Sequence, residues 1–169
     1  MDRQIVGWLR PFVEQRGPFA RVLELGSLDV NGTIRQAFGG QETYIGLDMR
    51  DGDGVDLCLD ASELQHRPDL GLFDCIVASS FFEHDMQFWE TLNGVNRLLR
   101  EGGWFVVTVP TQEWGYHGEP KDYWRFTEDA LRDIFFEGYQ GVEIFNPLWA
   151  TPEGMPHLKC QHMGGWGQR

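Results

Sequence analysis

The sequence predicts an α/β fold built on a mostly parallel sheet, and two observations carry that expectation. Short, β-rich apolar runs bounded by Gly, Asp or Pro recur at residues 22–25, 44–47, 55–59, 73–78 and 104–109. Continuous runs of this kind suit strands buried on both faces. Segments with helical spacing lie between several of them. Strand–helix–strand alternation implies parallel pairing, right-handed crossovers and helices on both sheet faces. At 169 residues the chain has the size of one ordinary domain.

The elements follow in order. Ile5, Val6, Trp8, Leu9, Phe12 and Val13 have helical spacing, interrupted by Pro11, which predicts a short leading helix within residues 1–18. Residues 85–100 carry Phe88, Trp89, Leu92, Val95, Leu98 and Leu99 on one stripe and run into Glu101-Gly102-Gly103, a glycine stop signal. Residues 127–138 form the next helix, with Thr127 as N-cap, Glu128 and Asp129 in the first turn, and Leu131, Ile134 and Phe135 facing inward. A last strand is expected at 158–163, followed by a frayed glycine-rich tail at 164–167.

Composition narrows the function classes. Hydrophobic residues make up 41% and charged residues 24%, so the chain is neither disordered nor fibrous. The net charge of −12 repels phosphate backbones, and nucleic acid is not an expected partner. No apolar run approaches the roughly 18–20 residues that cross a bilayer, and MDRQIVGWLRPF lacks a signal-peptide core. No membrane association and a cytoplasmic location are expected. Cys58, Cys75 and Cys160 are odd in number and widely spaced, and the first two sit in strand-like runs. This suits buried thiols in a reducing compartment. Exposed rings near Trp149 and Trp166 would mark a contact surface for a homodimer or partner chain.

In parallel sheets ligands bind beyond the carboxyl ends of the strands. The first run ends in Glu24-Leu25-Gly26-Ser27, where a glycine permits a tight turn and close approach of backbone to ligand. Asp48 follows the second run, 22 positions after Gly26. An acid about 20 residues beyond the glycine turn accepts hydrogen bonds from ribose hydroxyls. Asp60-Ala61-Ser62 follows the third run, where Asp60 either receives an exocyclic amine or caps residues 62–65. The fourth run leads into Ser79-Ser80-Phe81-Phe82-Glu83-His84-Asp85. Asp85 is the natural cap of the next helix, while Glu83 beside His84 tunes an imidazole.

Taken together these residues resemble the class I S-adenosylmethionine-dependent methyltransferases, in particular a small, type 11-like branch. The resemblance rests on Val22-Leu23-Glu24-Leu25-Gly26, Tyr44-Ile45-Gly46-Leu47-Asp48, Asp60-Ala61, the run from Phe73 to Ser79, Glu83-His84 and Leu98-Leu99-Arg100-Glu101-Gly102-Gly103. It implies a Rossmann-like three-layer sandwich, one domain over 1–169, whose seven-stranded sheet ends in an antiparallel strand. It also implies S-adenosyl-L-methionine as cofactor and S-adenosyl-L-homocysteine as product. By the same resemblance Glu24, Gly26 and Ser27 line the methionine part, Asp48 holds the ribose, Met49 lies against the adenine, Asp60 and Ala61 flank its edge, and Ser79 lies under the sulfonium. Asp74 starts its strand away from that edge and is not a site residue. Leu28 stands where relatives usually carry a second glycine, and Asn31-Gly32 is expected to absorb the turn.

The resemblance extends to His117-Gly118-Glu119-Pro120-Lys121-Asp122-Tyr123-Trp124-Arg125-Phe126-Thr127, within a loop at 111–127 placed over the substrate side. Asp122, Tyr123, Trp124 and Arg125 are the expected substrate contacts. The competing reading makes Trp124 and Phe126 core anchors and Arg125 half of a structural ion pair. Methyl transfer is an in-line displacement in which alignment dominates, and a hydroxyl acceptor also needs a base. His117, His84 and Glu83 are the catalytic candidates, and a small-molecule hydroxyl (sugar, metabolite or natural product) is the expected acceptor. No metal is expected: His157, Cys160 and His162 invite the idea, but strand alternation places His157 on the opposite face. The alternative is a non-catalytic or partner-dependent domain that binds the same nucleoside. A nicotinamide-dependent dehydrogenase ranks below both, because only Gly26 of the required three glycines is present.

Overall fold

The computed structural model describes residues 3–30, 32–39, 41–118, 120–148 and 161–169. Seven strands form one sheet: β1 (Arg21–Leu25), β2 (Thr43–Asp48), β3 (Leu57–Cys58), β4 (Phe73–Ser79), β5 (Leu99–Pro110), β6 (Gln140–Phe145) and β7 (His162–Gln168). Their order is β3-β2-β1-β4-β5-β7-β6. β1 to β5 pair in parallel, and β7 runs antiparallel to both β5 and β6. The antiparallel last strand matches the expectation.

Alternation along the strands builds two cores. Leu23, Leu25, Ile76, Ala78, Phe105 and Val107 pack with α2 (Phe88–Leu98) and the 3₁₀ turn Ala61–His66. Val22, Cys75, Val77, Trp104 and Val106 pack on the other face with α1 (Arg3–Arg16) and the 3₁₀ turn Ile34–Ala37. α1 continues through Pro11. A mid-helix proline costs roughly 3 kcal/mol. Leu9 and Phe12 beside it are 0% and 2% exposed, and burial contributes about 1.5–3 kcal/mol for each such side chain, enough to offset the break. At the opposite end from the ligand edge, Asp74 accepts from the Arg21 N–H at 2.7 Å and pairs with Arg100 at 2.7 Å.

Several boundaries differ from the expectation. α2 is shorter than 85–100, and Asp85 caps the turn ahead of it, accepting from the Gln87 N–H at 2.8 Å and the Thr91 hydroxyl at 2.6 Å. Gly102 and Gly103 do not stop the helix. The chain extends from Leu99, and both glycines sit where pairing with β4 slips between Phe73 and Cys75. The helix expected at 127–138 is a single turn, α3 (Glu128–Ala130), capped by the Thr127 hydroxyl accepting from the Ala130 N–H at 3.1 Å. It widens into a π turn over Leu131–Phe135. The wider turn brings Leu131, Phe135 and Phe136 inward and leaves Ile134 52% exposed. β3 covers only two of the five residues expected at 55–59. Its Cys58 is exposed, so of the two described cysteines only Cys75 is a buried thiol.

The tail predicted to fray is strand β7. Its glycines are there for space: a Cβ on Gly164 would stand 2.8 Å from Leu148 Cδ2, and one on Gly165 or Gly167 would stand 3.1 Å from the Phe136 ring. Trp166 turns to the other face and packs on Trp8 and Phe12, with ring centroids 4.9 and 5.0 Å apart. It is therefore a half-buried ring packed against this core, not a fully exposed one. Asn31, Glu119, Trp149, His157 and Cys160 lie outside the described residues. Among those described, no helix is long and apolar enough to cross a membrane.

Candidate functional site

Strand order reverses at β1, which has β2 on one side and β4 on the other. Beyond the carboxyl ends of these strands lies a crevice of about 440 Å³, within the ~300–1,000 Å³ range of small-molecule sites. Gly26 forms its first wall. Its φ of +76° favours glycine, and a Cβ there would meet Phe81 Cδ2 at 2.9 Å. The Gly26 and Ser27 N–H groups both donate to the Leu47 carbonyl, at 2.8 and 3.0 Å, and so fasten this turn to β2. Leu28 lines the crevice without a positive φ, so leucine is tolerated where a glycine was expected.

Asp48 closes β2 and faces the crevice. It accepts from the Arg50 N–H at 3.0 Å and, at a longer 3.4 Å, from the Leu28 N–H. Those two bonds aim the carboxylate and leave it room for further donors. Met49, Asp60 and Ala61 line the same crevice. Of the two uses weighed for Asp60, the cap is present, and its side chain also borders the crevice. Asp60 caps the Ala61–His66 turn by accepting from the Ser62 N–H at 3.0 Å.

Three expected cofactor contacts lie elsewhere. The Glu24 side chain points to the α1 face, where it is 2% exposed and accepts from the Tyr44 hydroxyl at 2.7 Å. Burial pushes its carboxyl up to about 7 despite that bond. Ser27 is buried, packed against Gly46. Ser79 is buried beside Thr108, with the hydroxyl oxygens 3.1 Å apart. The residue that reaches the crevice is its neighbour Ser80, whose φ of +49° is rare for a side-chain-bearing residue. Pairing of the Ser80 N–H with the Thr108 carbonyl at 2.9 Å holds it there.

The three catalytic candidates are brought together. His84 lines the crevice. Its Nε2 lies 3.7 Å from Glu83 Oε1, and the Nε2 of His117 lies 3.6 Å from the same oxygen. The imidazoles stack at 4.9 Å with their planes 19° apart. Glu83 is 0% exposed, and burial pushes its carboxyl up to about 8. Burial also holds His84 below its ordinary value, against a bond from its Nδ1 to the Lys121 carbonyl.

The loop residues divide. Tyr123 lines the crevice, whereas Asp122, Trp124 and Arg125 do not. The Tyr123 and Trp124 N–H groups donate to the Glu83 carbonyl at 2.7 and 3.3 Å, and the Trp124 indole donates to the Asp85 carbonyl at 2.8 Å. Arg125 clamps Asp122 with two nitrogens and donates to the Trp114 and Gly115 carbonyls. Its hydrogen bonds hold the Asp122 carboxyl down to about 2. Trp124 and Arg125 thus anchor the loop, as the competing reading had it. Ser80, Phe81, Gln87 and Lys121 line the crevice and were not singled out from sequence. Only the placement of Ser80 and Phe81 just past a strand end offered a signal.

No protein-family model and no curated protein matches the sequence. Solved structures do match. A SAM-dependent methyltransferase from Archaeoglobus fulgidus superposes with a TM-score of 0.70 at 16% identity, over 99% of this chain and 94% of that one. The fold is that of the class I S-adenosylmethionine-dependent methyltransferases. N-methyltransferase NodS from Bradyrhizobium japonicum WM9, in complex with S-adenosyl-L-homocysteine, matches with a TM-score of 0.70 at 14% identity, over 99% of this chain and 86% of that one. The 1,6-didemethyltoxoflavin-N1-methyltransferase of Burkholderia thailandensis, with bound substrate and S-adenosylhomocysteine, matches with a TM-score of 0.67 at 16% identity, over 96% and 76%.

Proposed function

We propose that this chain is an S-adenosylmethionine-dependent methyltransferase acting on a small-molecule acceptor, with a hydroxyl as the receiving group. The observation that carries the reading is the Asp48 carboxylate, aimed into a crevice at the point where strand order reverses. The donor set fits a nucleoside. Asp48 accepts from ribose hydroxyls, Met49 and Ala61 offer apolar contact to a base, and Asp60 accepts from an exocyclic amine. Gly26 keeps the opposite wall free of a side chain. Neighbours of this fold crystallised with S-adenosylhomocysteine support the choice of nucleoside. When bound, the cofactor supplies an electrophilic methyl group on a sulfonium.

The chain's own residues align the acceptor and deal with its proton. Alignment can supply about 7–11 kcal/mol of the barrier reduction in such a displacement. The Glu83–His84–His117 cluster is the acceptor-activating group, and His84 is the member presented to the crevice. Tyr123 borders the same space. The test incubates the protein with S-adenosylmethionine and panels of hydroxyl, amino and carboxyl acceptors, followed by mass spectrometry. Release of S-adenosylhomocysteine with a hydroxyl acceptor is the expected result. Transfer to amino acceptors alone overturns the hydroxyl assignment, and nucleoside binding without transfer to any panel overturns the enzymatic one.

A further inference from the structure

The Glu83–His84–His117 cluster has a feature that acid–base chemistry leaves unexplained. Both Glu83 oxygens are buried and lack a hydrogen-bond partner, although buried carboxyls are nearly always hydrogen-bonded. The two imidazole nitrogens that face Oε1, at 3.6 and 3.7 Å, are beyond hydrogen-bond range. One donor atom from each of the three residues lies within 4.8 Å of the other two.

We propose that Glu83, His84 and His117 form a binding site for a divalent first-row transition ion, with an open coordination position on the crevice side. Two histidines and one carboxylate are a known ligand set for catalytic zinc and for other ions of this class. A tetrahedral ion with ligands at ~2.0–2.1 Å sets its donors about 3.4 Å apart. The Glu83 oxygen therefore needs to close on each imidazole by only a few tenths of an ångström, and the three donor atoms, within 4.8 Å of one another, by at most about 1.4 Å. Both imidazoles present Nε2 to that oxygen, and a modest rotation of the near-parallel rings brings their in-plane lone pairs onto one ion.

The surroundings prepare the ligands. A carbonyl only accepts, so the contact of His84 Nδ1 with the Lys121 carbonyl places the proton on Nδ1. The Nε2 lone pair is then free toward Glu83. Behind His117, Nδ1 lies 3.6 Å from Asp122 Oδ2. Arg125 holds that carboxylate in place. Carboxylates and carbonyls behind ligating histidines orient the rings and raise their basicity. Three protein ligands leave one position vacant, and His84 lies on the crevice wall, so that position opens toward the acceptor space. Sequence reading looked for metal ligands among His157, Cys160 and His162 and expected none. The assembled set comes instead from the β4 exit and the loop after β5.

The test uses the full chain, freed of metal with a chelator and titrated calorimetrically with Zn²⁺ and, separately, Mn²⁺, with no nucleoside present. One ion per chain is expected. Glu83→Gln keeps the side-chain shape. That change and His84→Ala should each weaken uptake by more than the roughly 10–100-fold that outer-shell changes cost. Asp122→Asn should fall within that range. Circular dichroism establishes that each variant is folded. If Glu83→Gln does not fold, wild-type protein loaded with Co²⁺ should show visible d–d absorption that His117→Ala abolishes. Absence of stoichiometric uptake by the wild type overturns the proposal. So does uptake within about threefold of wild type in both the Glu83→Gln and His84→Ala variants. The proposal concerns the cluster alone. Failure to take up an ion would leave the nucleoside crevice standing, and failure to bind S-adenosylhomocysteine would leave the ion site standing.

Discussion

Gly26 and Phe81 meet across the point where the sheet reverses its order, so closely that a Cβ on Gly26 would stand 2.9 Å from Phe81 Cδ2. The two residues follow β1 and β4, and their contact sets the width of the crevice between those strands. Gly26→Ala combines that clash with a φ of +76°. A left-handed conformation alone costs an ordinary residue about 1–2 kcal/mol. Urea denaturation should show a loss of at least that size. Calorimetry should show weaker binding of S-adenosylhomocysteine, because Phe81 must move into the space the ligand needs.

Asp48→Ala should weaken S-adenosylhomocysteine binding by tenfold or more, the equivalent of about 1.4 kcal/mol. The fold should survive, since the lost bonds to Arg50 and Leu28 serve a turn at the sheet edge. Thermal melting with and without the nucleoside checks both statements. A normal melt without ligand and a reduced ligand-induced shift are the expected pair.

Glu24 governs a pH dependence. Its folded pKa of about 7 lies above the ordinary value of 4.5 because burial disfavours the charged form. Native protein therefore binds this proton more tightly than unfolded chain. The resulting stability is fully present below pH 4.5 and is lost as pH rises through 7. Each pKa unit corresponds to about 1.4 kcal/mol, so the loss amounts to about 3 kcal/mol. Glu24→Gln keeps an acceptor for the Tyr44 hydroxyl and carries no proton to lose. Urea denaturation at pH 5 and pH 8 should show a smaller drop in the variant than in the wild type. Equal drops would remove Glu24 as the source.

Arg125→Ala should loosen the loop after β5. It removes two nitrogens from Asp122 and the bonds to the Trp114 and Gly115 carbonyls. Hydrogen bonds to charged groups are worth about 1.5–3 kcal/mol, and a loss of that order is expected in chemical denaturation. Trp124→Phe keeps the ring against Phe88 but drops the indole bond to Asp85. It should cost about 1 kcal/mol.

Residues whose placement is set by their own strand end were legible in the sequence. Gly26, Asp48 and Asp60 each follow an apolar run directly, Ala61 comes one position later, and all four line the crevice. Glu24 was misplaced because β1 is buried on both faces, so its apolar run carries no sign of which face a given residue occupies. Ser79 missed the crevice by one position. The exit of β4 depends on a bond between Ser80 and Thr108, partners far apart in sequence. The glycines of β7 read as flexibility because nothing local reveals that Phe136 and Leu148 press against them. Glu83, His84 and His117 were legible as acid–base candidates, but not as three donor atoms grouped around one point. Glu83 and His84 are neighbours in sequence, but His117 joins them only through the loop that Arg125 and Asp122 hold in place.

The central claim is that the crevice beside Gly26 holds an adenosyl group by its ribose at Asp48. The most direct measurement is a crystal structure with S-adenosylhomocysteine bound. Both ribose hydroxyls are expected at about 2.7–3.0 Å from the Asp48 carboxylate oxygens, with the base beside Met49 and Ala61. Nucleoside bound elsewhere on the chain, or an Asp48 carboxylate turned into solvent beside an empty crevice, would contradict the account.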